Sequence, residues 1–474
     1  MPRYHSTGAD MKTKASHRLD LSMMAIILGL AWPTMLEQLM QTAVQYIDVA
    51  MVGSLGTTAT AAVGATTTVG WLIGNTVSAF GVGFLSYIAR AYGANDKGSA
   101  SRAVAQTVLV VLTVGTLFTI LPLALSGAIP VWMRVDEAIR PLASTYFFIL
   151  CVPMLPRTAS ILFGTALRAA GDTKTPMKVG ILTNIVNVVL NYIMIYPTRT
   201  KVIFGHEVTL HGSGLGVIGA AVASAVAFTV GGIYITVVLW KHPILSPRGQ
   251  SLRPDMRILR PCMRTAFPNM LQRFGTSLGY VAFASMINSL GEVSTAAHTI
   301  ANTVESAFYI PGYGMQTAAA TLAGNAYGAR DRKRMKELAA MFIPLEIALM
   351  VVSDSCLFAV APSLMRLFAD EAEVITLGAT VLRMVAVSEP LYGFSIIMEG
   401  MMQGVGKTKL PFFFNVIGMW GVRIVGTFIC TQLLSFGLVS AWACMIAHNL
   451  LICLLFLICY LRDAWDPLKN EVTE

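Results

Sequence analysis

Glu37 and Asp48 stand eleven residues apart in Ala31–Gly56, a stretch otherwise apolar enough and long enough to cross a bilayer. Eleven residues are close to three turns of an α-helix, so the two acids point the same way, with Gln41 and Gln45 between them on roughly the same face. Hydrocarbon does not solvate such a stripe; it must face other protein or a wet cavity. A carboxyl placed there can carry a proton in one state and, once ionised, hold a cation in another. Farther along, Asn184, Asn187 and Asn191 have i, i+3, i+7 spacing and form one amide face. Amide oxygens suit a hard cation, although an amide ladder that only binds helices together, above all at Asn184, is an equal reading. In the second half of the chain Arg273, Glu305, Glu389 and Arg423 lie inside apolar stretches. Two acids and two arginines at depth predict internal ion pairing, because an unpaired charge there is costly.

Other groups have blander readings. Glu37 needs a partner, and Arg157 in the same half or Arg273 across the halves is available. Glu346 and Asp354, eight residues apart on one helix face, read as structural, and Glu399 reads as solvated at a helix end. His298 and His448 read as packing or capping groups. Met40, Tyr46, Met51, Phe274, Met286, Tyr309 and Tyr392 are candidates for a soft, aromatic surface able to take flat amphipathic cations, against the alternative of ordinary packing. There is no P-loop, GxSxG, HExxH or CxxC, so neither an enzyme nor a resident cofactor or metal is expected.

The elements that must position these groups are membrane spans. Hydrophobic residues make up 55% of the 474 and charged ones only 12%, the balance of a polytopic helical membrane protein. Twelve apolar segments predict an all-α fold: about 22–52, 60–89, 102–127, 139–167, 177–197, 217–240, 262–289, 293–325, 335–361, 374–402, 411–433 and 438–461. The net charge of +9 does not signal nucleic acid. Most Lys and Arg fall in alternate loops, and the opposite loops hold only Arg134, Arg140, Arg199, Lys201 and Arg366. That asymmetry predicts both termini in the cytoplasm. The seven cysteines are scattered and read as apolar packers, and residues 1–20, polar and basic, read as a tail rather than a removable signal.

The chain also repeats itself at an offset of 235 residues. Ala31, Pro33, Met35 and Leu36 recur as Ala266, Pro268, Met270 and Leu271; Ser54-Leu55-Gly56 recurs as Ser289-Leu290-Gly291; Ala91-Tyr92-Gly93-Ala94 as Ala326-Tyr327-Gly328-Ala329; and Gly171, Thr173, Lys174 and Pro176 as Gly406, Thr408, Lys409 and Pro411. Six spans return the chain to its starting side, so the halves are parallel duplicates, and substrate is expected between them. The predicted division is a tail over 1–20, a six-helix bundle over 21–240, a linker over 241–261 with a short surface helix, a second bundle over 262–461 and a tail over 462–474. The longer loop 197–213 predicts a small hairpin.

Ile47-Asp48-x-x-Met51-Val52-Gly53-x-Leu55-Gly56, Arg90-Ala-Tyr-Gly-Ala94, Leu167-Arg-Ala-Ala-Gly-Asp-Thr-Lys-Thr-Pro176 and Glu305-Ser-Ala-Phe-Tyr-Ile-Pro-Gly-Tyr-Gly314 together resemble the multidrug and toxic compound extrusion (MATE) exporters over residues 20–460. The resemblance implies a V-shaped twelve-helix antiporter of the cell inner membrane, monomeric, surrounded by lipid, and exporting organic cations against inward H+ or Na+. It assigns Asp48 an ion-coupling role and pairs it with Asn187 and Asn191, where the family has Asn-x-x-x-Asp; the second acid is an amide here, so a Na+ site would hold one negative charge fewer. The glutamate that one branch carries on its seventh helix is Thr276 here, and its tenth-helix aspartate falls at Tyr392, with Glu389 one turn before it. A flippase for lipid-linked oligosaccharide, of related architecture, is the alternative; a membrane-embedded transferase is disfavoured for want of a motif-bearing loop.

Overall fold

The computed structural model describes residues 21–203 and 206–469; the tail predicted over 1–20 and the end of that over 462–474 lie outside the described residues. In chain order the helices are α1 (Leu21–Gly53), α2 (Thr57–Gly93), α3 (Lys97–Leu125), α4 (Ala128–Trp132), α5 (Arg140–Cys151), α6 (Met154–Ala169), α7 (Lys174–Ile195), α8 (Gly216–Lys241), α9 (Met256–Asn288), α10 (Glu292–Gly328), α11 (Arg332–Arg366), α12 (Ala372–Gly404), α13 (Lys409–Val416), α14 (Val425–Phe428) and α15 (Leu438–Leu461). Between α7 and α8, β1 (Pro197–Ile203) and β2 (His206–Ser213) pair antiparallel, as the hairpin was expected to.

Among the described residues, eight of these helices and the continuous stretch Lys409–Leu433 that holds α13 and α14 are long and apolar enough to cross a membrane, and α5 with α6, bent by 48° around Pro153, makes a tenth. Helices α9 and α10, 33 and 37 residues long, are too polar to pass on composition and complete the twelve. A span that need not face lipid can be this polar, because neighbouring helices rather than hydrocarbon satisfy its side chains.

The 235-residue repeat is written into the backbone. Left-handed conformations recur in register at Gly56 and Gly291 (φ 107° and 105°), Asn95 and Arg330 (58° and 54°), and Gly171 and Gly406 (87° and 81°). Gly56 and Gly291 are the N-caps that begin α2 and α10, whereas Gly171 and Gly406 follow the ends of α6 and α12; at each of them a Cβ would be strained. Capping repeats too: Asp96 accepts from the Ser99 amide and Asp331 from that of Arg334, both at 2.9 Å. The Ser99 hydrogen bonds hold the Asp96 carboxyl below its ordinary 3.8. A depressed folded value means the cap is fully present above that pH and is lost as the pH falls through the folded value. Protection of the amides at the start of α3, taken relative to their intrinsic exchange rate at each pH, should therefore fall on acidification, and in Asp96→Ala it should be low at every pH.

Two expectations are corrected. The linker carries no separate short helix among the described residues; α9 begins at Met256, inside the 241–261 assigned to the linker. Instead Leu245 is buried, Ser101 donates to the Ser246 carbonyl at 2.7 Å, and Gln106 binds both the Arg253 carbonyl and the Asp255 amide, so the segment lies along α3. The C-terminal segment is docked rather than trailing. Trp465 and Leu468 are buried, and Arg332 donates to Asp466 at 2.6 Å.

The halves meet mainly toward the basic face, the one that carries the 94–96, 242–255 and 329–331 loops. Thr34 of α1 donates to the Gly314 carbonyl of α10 at 2.8 Å. A Cβ on Gly93 would strike the Asn325 carbonyl, and one on Gly328 would strike that of Arg90. These two contacts are images of one another under the repeat, so α2 and α10 cross there on a pseudo-twofold axis. The missing side chains are what allow that approach, since packed backbones do not yield. Gly93→Ala is predicted to hold the basic face open, with faster thiol labelling of a cysteine placed at Ala89 than in the parent.

Candidate functional site

Helix α1 runs from the basic face outward, and its exposed Gln45, Tyr46 and Val49 surround a half-buried Asp48. From α7, Asn191 Nδ2 donates to Asp48 Oδ1 at 2.6 Å and to Asn187 Oδ1 at 3.1 Å. Asn187 Nδ2 in turn donates to Ser224 Oγ of α8 at 3.0 Å. Three helices are thus joined by one polar string, and the first bond, to a carboxylate, belongs to the stronger class. Asn191 is 1% exposed, and its Oδ1 has no donor. That leaves a buried oxygen beside the Asp48 carboxyl with a free lone pair.

Of the amide face read from the sequence, Asn187 and Asn191 reach Asp48, whereas Asn184 does not join; its Nδ2 is buried without a partner. Ser224 was not foreseen. It is the hydroxyl among buried Ala220, Ala221, Ala223 and Ala227, a small-residue face of the kind that brings helices close, and that signal was present in the sequence.

The ion pairing of the acids differs from expectation. Glu37 meets neither Arg157 nor Arg273; its Oε1 accepts from Arg168 at 2.5 Å. Helix α6 continues through Ala169, which puts Arg168 on its last turn, one side chain's reach inward, instead of in a solvated loop. Arg157 lies over the Phe228 ring at 4.6 Å, and Arg273 donates to Asn269 at 3.0 Å. Arg423 faces Glu305 without forming an ion pair. Its guanidinium sits over the rings of Phe283 and Tyr280, at 4.0 and 4.9 Å. Arg423 belongs to a π-helical stretch, Ile417–Ile424, that no sequence pattern announced, and the altered turn directs it at the rings. Glu305 and Glu389 are within hydrogen-bonding reach of each other.

Glu399, expected to be solvated, instead accepts from Gln272 at 2.8 Å, Gln403 at 3.0 Å and Asn415 at 3.3 Å. His298 does pack, edge-on to Phe283 and Trp442.

Of the seven aromatic and thioether candidates, Tyr309 and Tyr392 are brought together through Tyr313. Tyr392 and Tyr313 share a hydroxyl contact at 3.3 Å, and Tyr313 stands edge-on to Tyr309 at 5.9 Å. Tyr313 was missed, though its i, i+4 spacing from Tyr309 was visible. Tyr46 reaches across the halves to the Thr303 carbonyl and to Ser306, at 3.0 and 2.9 Å. Met51 packs instead on the cluster of Val52, Ile195 and Val217. Met40 and Met286 are half-buried, and Phe274 is exposed on α9.

A sequence model described as MatE matches residues 33–193 and again 268–429, the two matches starting one repeat apart. A probable multidrug resistance protein NorM of Thermotoga maritima is 26% identical over 93% of this chain and 92% of its own. The probable multidrug resistance protein YoeA of Bacillus subtilis is 24% identical over 93% of each. Among solved structures, a MATE protein in a bent conformation superposes with a TM-score of 0.85 at 23% identity, covering 95% of this chain and 97% of that one. The outward-facing conformation of a multidrug resistance MATE family transporter gives 0.84 at 24% identity, covering 93% and 96%.

Proposed function

This chain belongs to the MatE family of transporters, and on that premise we propose that it is a secondary antiporter expelling amphipathic organic cations in exchange for H+ or Na+ entering at Asp48. The observation that carries the reading is the half-buried Asp48 carboxyl, held by Asn191 next to an oxygen that no donor satisfies. Two forms of that site are chemically equivalent for coupling. A proton can occupy the carboxyl, or Na+ can sit among the oxygens of Asp48, Asn187, Asn191 and Ser224, a donor set suited to a hard cation. In either case the inorganic ion is cargo.

Exchange requires that the ion and the organic cation favour different states. Tyr46 ties α1, which carries Asp48, to α10 of the other half, so occupancy of Asp48 bears on the relation between the halves. The tyrosines at 309, 313 and 392 offer ring faces to a cation. In this reading the basic face is cytoplasmic, the protein works as a single chain in the cell inner membrane, and the Gly93–Gly328 crossing is the closed cytoplasmic side.

Purified protein in vesicles, loaded with a fluorescent organic cation, tests this. Efflux should follow an imposed proton gradient or an imposed Na+ gradient, and the arm that drives it names the ion. Absence of cation movement under both, with translocation of a lipid-linked sugar, overturns the proposal in favour of a flippase.

A further inference from the structure

The exposed face of α9 changes character along its length. Arg257, Arg260 and Arg264 are all exposed and have i, i+3, i+7 spacing, so they stand on one face over about 10 Å. The same face continues into Phe267, 56% exposed, and Leu271, 38%. The opposite face is covered: Ile258, Cys262 and Ala266 are buried, and a Cβ on Gly83 of α2 would strike the Cys262 carbonyl.

The change falls at the edge of the bilayer. Helix α9 has 33 residues, roughly 50 Å, against a hydrocarbon core of about 30 Å, so shared equally it overhangs by about 10 Å at each end. The boundary on the basic face then lies near Met263. Arg257 and Arg260 stand in the headgroup layer, Arg264 can extend back to it, and Phe267 lies among acyl chains. The halves are closed on this side, so lipid rather than the cleft between them lies beyond the exposed face.

Nothing in the protein explains these guanidiniums. Among the described residues none of the three makes an ion pair, a side-chain hydrogen bond or a ring contact. Asp255, the acid nearest in sequence, caps the helix instead, accepting from the Arg257 amide at 2.9 Å. Like charges at these spacings repel one another, and Arg257 stands at the helix end where the dipole favours an anion. The duplication supplies a comparison. The positions 235 residues earlier are Ser22, Ala25 and Gly29, while Trp32, aromatic and exposed, matches Phe267. The first helix of a half can therefore be built without the arginines.

We infer that Arg257, Arg260 and Arg264 form a binding surface for a phospholipid of net negative headgroup, with an acyl chain along Phe267 and Leu271. Guanidinium forks match phosphate oxygens, and basic residues at a membrane surface attract anionic lipid. Free phosphate would gain nothing from the two apolar side chains. The surface is also held in place beforehand, because Gln106 of α3 binds the Arg253 carbonyl and the Asp255 amide just ahead of it. The inference uses only the reading of α9 as a membrane span.

Native mass spectrometry of the purified protein, offered phosphatidylglycerol and phosphatidylcholine with the same chains, tests it. The parent should retain phosphatidylglycerol in preference. Arg257→Gln, Arg260→Gln and Arg264→Gln together should weaken that binding by roughly a hundredfold, about fivefold per charge. Lysine at all three positions should keep most of it, which separates loss of charge from misfolding. Lys333→Gln with Arg334→Gln and Lys409→Gln, exposed on the same basic face, should leave the preference unchanged, which separates a site from net charge. Equal retention of the two lipids by the parent, equal losses in the two glutamine triples, or displacement of the lipid by millimolar inorganic phosphate overturns the inference. No arm depends on transport, so failure of the antiport reading would leave this result standing.

Discussion

Asp48→Asn is expected to reduce organic-cation efflux from vesicles to the level of vesicles without protein, with expression and thermal stability unchanged. The substitution keeps the shape of the side chain, and its Oδ1 still accepts from Asn191 Nδ2, so the string from α1 to Ser224 survives. What it removes is the ability to gain and lose a proton or to balance a cation. A neutral amide gives the driving ion no differential interaction with the two states, and a ligand without one shifts no equilibrium. Asp48→Glu should retain partial transport, since the charge persists one methylene out of place. Transport at the parental rate by the asparagine variant would remove the site.

Arg168→Ala should lower stability by about 3–5 kcal/mol, because it leaves the Glu37 carboxylate buried and without its cation. The Glu37 side chain is 9% exposed, and Gly180 of α7 lies against it, a Cβ there coming within 3.4 Å of Cγ, so water cannot readily replace the guanidinium. The check is thermal unfolding in detergent. Glu37→Gln should cost much less, as its amide oxygen can still accept from Arg168. The reversed pair, Glu37→Arg with Arg168→Glu, should recover part of the loss, which additivity would not give. An unchanged melting temperature in Arg168→Ala would show that the pair holds nothing together.

These two predictions stand differently toward the sequence. Asp48 could be singled out before any coordinates, because a carboxylate within an apolar span is costly wherever the helix packs. Arg168 could not, because it was counted with the solvated basic loops until α6 proved to run through it. The linker gives a similar lesson: Pro and Arg content suggested a surface helix, but Gln106 and Ser101 of α3 bind its backbone, and a chain whose polar groups are already satisfied has less to gain from a helix.

The amino-acid order by itself determined twelve crossings and the duplication, down to the glycines that take the same left-handed turn 235 residues apart. Hydropathy and turn chemistry act over a few residues, so they are readable along the chain. Which side chain meets which was decided by tertiary structure alone. Glu37 found Arg168, Arg423 turned from Glu305 to the rings of Phe283 and Tyr280, and Glu399 gathered three amides. Partnership between helices depends on their rotation, tilt and local winding, and a single π-helical stretch in the eleventh span is enough to redirect a charge.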